Sequence, residues 1–185
     1  MIQMHSLRER IVDLIYKVIT DSERPRRRLT LLFGFIFSSI VFFLIISSFY
    51  IDRFLGFPGF IARPLSIVVS LPVLIPGLIL WLWSAGKFFQ SEGTPVPVNP
   101  PPKLITDGPY AYSRNPMMTG LFLAMAGVGI FFGSITLTFI MTPLFVLMSI
   151  LEFKNIEEPE LEKRFGKEYK TYKEKTPIMI PKIFK

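Results

Sequence analysis

A chain of 185 residues that is 50% hydrophobic, with mean hydropathy +0.45, carries more nonpolar surface than one water-soluble core can hide, so the excess must face lipid. Lys and Arg number 21 against 14 for Asp and Glu, and a net +7 on such a chain marks cytoplasmic loops rather than a nucleic-acid surface. With no cysteine and a single histidine, His5, the sequence disfavours disulfides, thiolate chemistry, cysteine lipidation and a His-ligated metal.

Met1 to Thr20 has no continuous apolar core and does not read as a secretory signal, so the first span is expected to remain in the mature protein. Leu7, Ile11, Leu14, Ile15 and Val18 recur at helical spacing, with Arg8, Glu9, Asp13 and Lys17 mostly between them. This predicts an amphipathic helix, either on the bilayer surface or packed on the protein's own cytosolic part. Leu29 to Tyr50 is free of charge, and its 22 residues at about 1.5 Å each reach roughly 33 Å, enough to cross hydrocarbon. A second apolar stretch, residues 65–88, contains Pro72 and Pro76 and predicts a kinked span.

Gly93 to Pro102 reads GTPVPVNPPP, which forms neither a regular helix nor a central strand, and is expected to be an extended loop. The 37-residue apolar run Met117 to Phe153 is broken at Gly133-Ser134 and predicts a tight hairpin of two spans, 117–132 and 135–153. Gly127, Gly129 and Gly133 lie inside this run with no strand before them, so close helix packing is preferred to a phosphate-binding turn. The tail 154–185 is expected to be cytosolic, with one helix from about Glu157 to Lys175. Its early acids and later lysines complement the helix dipole.

The expected fold is therefore all-α and integral to the membrane, with about four transmembrane helices. Residues 1–28 form a cytosolic N-terminal segment and residues 29–185 one membrane domain. Arg24, Arg26, Arg27, Arg28, Lys87, Lys103 and Arg114 fall on the sides this model makes cytoplasmic, and both termini are placed there. The hairpin returns Glu157 to the face where Arg114 leaves, 43 residues earlier, so acids, bases and aromatics are expected to meet beside lipid. Residue by residue, the same composition also describes an interfacial belt of tyrosines and cations.

The segments KLITDGPYAYSRNPMMTG, EEPELEKRFGKEYKTY and TPIMIP, in that order around a hairpin, resemble the isoprenylcysteine carboxyl methyltransferases and the related phospholipid N-methyltransferases. The likeness runs from about Gln90 to the C-terminus. It implies S-adenosyl-L-methionine as cofactor, contacted by Lys103, Leu104, Ile105, Tyr110, Asn115, Pro116, Met117, Met118 and Glu157. Glu158 and Arg114 are then the candidate catalytic groups, and the acceptor is a lipid or lipophilic small molecule. Asn115 stands where the family usually has His, Met118 where Tyr is usual, and Phe153 where some members have an acceptor-binding Arg. With no usable histidine, an acceptor that is already anionic or readily ionised is favoured, with Arg114 or Lys154 stabilising the anion. Two other readings stay open: a sterol-reductase-like enzyme binding NADPH, and a noncatalytic membrane scaffold. Cofactor binding separates them.

Overall fold

The computed structural model of the protein describes residues 7–20, 23–96 and 98–179. His5, and Ile180 and Pro181 of the TPIMIP stretch, lie outside them. Among the described residues all regular structure is helical: α1 (Leu7–Thr20), α2 (Glu23–Leu55), α3 (Leu65–Gln90), a single 3-10 turn at Gly108–Ala111, α4 (Pro116–Phe132), α5 (Thr142–Glu152), α6 (Glu158–Phe165) and α7 (Lys167–Lys175). Arg28–Leu55, Leu65–Gln90 and Thr136–Phe165 are long and apolar enough to cross a membrane. The fourth apolar helix, α4, has 17 residues and reaches only about 25 Å.

α3 and α4 share the most extensive helix contact, and glycine makes it possible. A Cβ on Gly127 would stand 2.7 Å from the Cα of Leu74, and one on Gly77 would stand 2.7 Å from the Ala124 nitrogen. Backbones approach this closely only where side chains are missing. The glycines thus serve packing, as their place in an apolar run predicts. At the far end of α4, Gly133 takes φ 69° and closes the helix, and the Ser134 N–H returns to the Gly129 carbonyl at 2.8 Å. The next helix starts under a double cap. Ser134 Oγ accepts the Leu137 N–H, and Asp52, from the end of α2, accepts the Thr136 N–H at 2.9 Å and the Ser134 hydroxyl. Apart from this end, α2 stands largely free, with none of its most apolar stretch buried.

Two expectations need correction. The helix that carries the last span does not stop at Phe153 but runs on from Thr136 to Phe165, with π-helical segments at Thr136–Met141 and Phe153–Glu157. Each segment ends two residues before a proline, Pro143 or Pro159. Because proline has no N–H and its ring crowds the preceding turn, the α-helical hydrogen-bond ladder is interrupted and a wider turn takes its place. At the end of the first segment the Leu137 carbonyl accepts both the Thr142 N–H, five residues on, and the Thr142 hydroxyl at 2.8 Å. The tail helix, expected as one piece, is broken at Gly166, whose φ 55° and ψ −122° only glycine adopts readily, so that α7 folds back. α1 packs on α6 and the π-segment before it, burying Val12, with Lys163 bonded to Asp13 at 2.7 Å and set 4.4 Å from the Tyr16 ring. Of its two expected placements, the structure takes the one on the protein itself.

Candidate active site

The proline-rich loop between α3 and the 3-10 turn folds on itself before it meets anything else. Thr94 donates twice, its N–H and its hydroxyl both reaching the Asn99 carbonyl at 2.8 and 3.0 Å. Gly93 lies so close to the backbone of Pro101 that a side chain there has no room. Lys87, at the end of α3, bonds Asp107 and holds its carboxyl below the usual range, which fixes the start of the Gly108-Pro109-Tyr110 turn. Tyr110 is thereby buried with its ring edge-to-face on Phe88, centroids 5.7 Å apart.

The C-terminal helices close on this turn. The Tyr172 hydroxyl donates to the Tyr110 carbonyl at 2.7 Å. Beyond α7, the non-helical residues Thr176–Met179 lie along the chain before α4. There the Arg114 and Asn115 amides donate to the carbonyls of Pro177 and Ile178, at 2.8 and 2.9 Å, and the Ser113 hydroxyl donates to Ile178 at 2.9 Å. Burial raises the hydroxyl pKa values of Tyr110, Tyr172 and Tyr169, so all three stay protonated donors at neutral pH.

Between these elements lies a pocket of about 840 Å³ counting its open mouth. Of the residues singled out from sequence, Lys103, Leu104, Ile105, Tyr110, Arg114 and Glu157 line it. Asn115, Pro116, Met117 and Met118 do not. Asn115 instead caps α4, its side-chain oxygen accepting the Met118 N–H at 3.3 Å, and Pro116 follows at the first helical position. Glu158 does not line the pocket either. One of its oxygens takes an Arg114 Nη1 bond and the other takes Lys173 at 2.6 Å, and both Arg114 and Glu158 are 7% exposed. The Arg114 guanidinium also lies 5.9 Å from the Phe153 ring centre. An arginine at 153 would set a second guanidinium there, so Phe153 and Arg114 suit each other.

Sequence reasoning missed Glu152, Glu160 and Arg164 as pocket residues. Glu160 and Arg164 are spaced i, i+4 on α6, which is a visible signal, but the same spacing describes any surface ion pair. Their Oε1 and Nε atoms stand 3.3 Å apart, and both are buried without a well-aligned hydrogen-bond partner. The pocket therefore gathers this ion pair with Glu157, three tyrosines and a wall of Pro95, Val96 and Pro101.

The sequence model of the phospholipid methyltransferase family matches residues 65–168, more than half of the chain. The Protein-S-isoprenylcysteine O-methyltransferase of Schizosaccharomyces pombe (strain 972 / ATCC 24843) is 37% identical over 83 residues, which are 43% of this chain. The match covers 34% of that relative, so the chain corresponds to about a third of its length. No solved structure matches.

Proposed function

Because the chain belongs to the phospholipid methyltransferase family, we propose that it moves a methyl group from S-adenosyl-L-methionine to a lipophilic acceptor whose carboxylate, thiol or amine head lies at the cytoplasmic membrane face. The observation that carries this reading is the pocket, where Glu157, Tyr110, Arg114 and the Glu160–Arg164 ion pair converge at the end of apolar helices.

The residues fit the cofactor. Glu157 accepts charge-assisted bonds from an amino or hydroxyl group. Tyr110 offers a ring to adenine or to the sulfonium, a contact worth about 0.5–2 kcal/mol. The Glu160–Arg164 ion pair adds a polar patch to the wall beside Glu157. Lys103, Leu104 and Ile105 complete the wall, and Asn115, Pro116, Met117 and Met118 act at one remove by fixing where α4 begins behind Arg114. Of the cations lining the pocket, Arg114 and Arg164 already face glutamates, which leaves little to hold the extra phosphate of NADPH.

When bound, S-adenosyl-L-methionine supplies a methyl carbon already activated by its positive sulfur, so no protein nucleophile is required. The chain's part is to hold the acceptor in line and keep water out, an effect worth up to about 7–11 kcal/mol. Arg114 stabilises an anionic head, and Glu158 fixes Arg114. The bilayer is crossed four times, α4 forming the short leg of the hairpin, with both termini cytoplasmic; basic loops and the docking of α1 on α6 support this arrangement.

Transfer of tritiated methyl from S-adenosyl-L-methionine tests the reading, with the protein in vesicles containing lipid, prenylated and small hydrophobic acceptors. Label in organic-extractable product that Glu157→Gln removes is expected. Folded protein that transfers no label to any of the three acceptor classes overturns it.

A further inference from the structure

α1 lies outside the residues that the family model matches, yet its Ile15 forms part of the pocket wall. At about 100° per residue, positions 9–17 of α1 divide into three arcs. Val12, Ile15 and Tyr16 make up the arc toward α6: Val12 is 7% exposed, and the Tyr16 ring centre lies 4.4 Å from Lys163 Nζ. Glu9, Arg10, Asp13 and Lys17 form a charged, exposed arc. Ile11 and Leu14 lie between the two, and Leu14 is 62% exposed. An apolar arc beside a docked one, with charge on the remaining side, suits a helix wedged between protein and lipid. The chain holds it at that level. α1 ends at Thr20, α2 begins at Glu23, and the stretch long enough to cross a membrane starts at Arg28. Arg24, Arg26, Arg27 and Arg28 complement the anionic headgroups of a bilayer surface there.

We infer that α1 is a membrane-seated wall of the pocket: Ile11 and Leu14 rest in the headgroup boundary of the bilayer, while Val12, Ile15 and Tyr16 of the same helix hold against α6. Docking on the protein is slight by itself. Asp13 and Lys163 pair at 2.7 Å with both side chains about half exposed, and ion pairs in water contribute little. A helix of 14 residues is marginal without packing. Lipid along the Leu14 arc supplies the apolar burial that docking leaves unmade, and so keeps Ile15 in the wall. Closure of the pocket thereby depends on the bilayer.

The chain has no cysteine, so single spin labels on the full protein report the seating without cofactor or acceptor. In nanodiscs of phosphatidylcholine and phosphatidylglycerol, a label at Leu14→Cys should collide more with dissolved oxygen than with a water-soluble nickel chelate, and a label at Lys17→Cys the reverse. Equal nickel access at the two positions overturns the inference. Dipolar broadening between Leu14→Cys labels, the sign of a second copy on that arc, overturns it as well. The link to the pocket rests on the methyl-transfer reading and is measured with S-adenosyl-L-methionine. Leu14 is exposed and does not line the pocket, so its substitution leaves both intact. In nanodiscs Leu14→Glu should weaken binding by about 3- to 10-fold, the weight of one partly buried leucine, whereas Leu14→Phe keeps wild-type affinity. Unchanged affinity in Leu14→Glu overturns the inferred wall and leaves methyl transfer standing. Wild-type protein that binds no S-adenosyl-L-methionine strikes the enzyme reading, and the spin-label contrast then decides the seating.

Discussion

Asn115 accepts the Met118 amide and begins α4, while the pocket lies on the other side of the chain, where Arg114 and Tyr110 face it. Replacing it with alanine should lower stability by about 0.5–2 kcal/mol, as loss of an N-cap does, and leave affinity for S-adenosyl-L-methionine unchanged. Thermal denaturation and equilibrium binding on one preparation check both halves. A cap substitution is legible in sequence as Asn before Pro at a helix start, but a motif comparison assigns the position to the cofactor. The adjacent glutamates show the same limit. Side chains of neighbouring helix residues diverge by about 100°, and the extra residue held in the Phe153–Glu157 segment shifts the phase of everything after it. The sequence brought both acids to the end of the hairpin where Arg114 lies. It could not say that Glu157 would line the pocket and Glu158 would hold Arg114.

At the scale of elements, the hairpin was readable because Gly133-Ser134 interrupts an otherwise unbroken apolar run, and the α3–α4 contact because glycine recurs where helices must meet. A Cβ on Gly120 would stand 2.5 Å from the Trp81 nitrogen and 2.7 Å from the Gly77 carbonyl oxygen. Those neighbours are backbone and cannot rotate away, so Gly120→Ala should force the helices apart and cost about 1–3 kcal/mol, measured as a lowered Tm in detergent. Gly86, whose added Cβ meets nothing within 4 Å, should accept alanine without loss. The two π-helical segments escaped the sequence reading. Pro143 and Pro159 announce an interruption, but whether a helix kinks, ends or widens depends on the packing around the freed carbonyls, which residue types alone do not state.

For the whole molecule, the docking of α1 on α6 and of Thr176–Met179 on the chain before α4 gathers both ends of the described chain around one pocket, contacts between distant segments that no local pattern records. Since the sequence has no cysteine, single replacements report sidedness cleanly. Arg10→Cys and Lys167→Cys should react with an impermeant maleimide from the same side of sealed vesicles, and Phe57→Cys from the opposite side; Phe57→Cys labelled with the other two would refute the four-span arrangement. The central claim is that this pocket holds S-adenosyl-L-methionine through Glu157. Calorimetric titration of the solubilised protein with that cofactor, and separately with NADPH, tests it most directly. Binding of S-adenosyl-L-methionine that a folded Glu157→Gln variant weakens by about 10- to 100-fold, the value of a charge-assisted hydrogen bond, is the predicted result. Binding of NADPH alone, or S-adenosyl-L-methionine affinity that Glu157→Gln leaves unchanged, would contradict it.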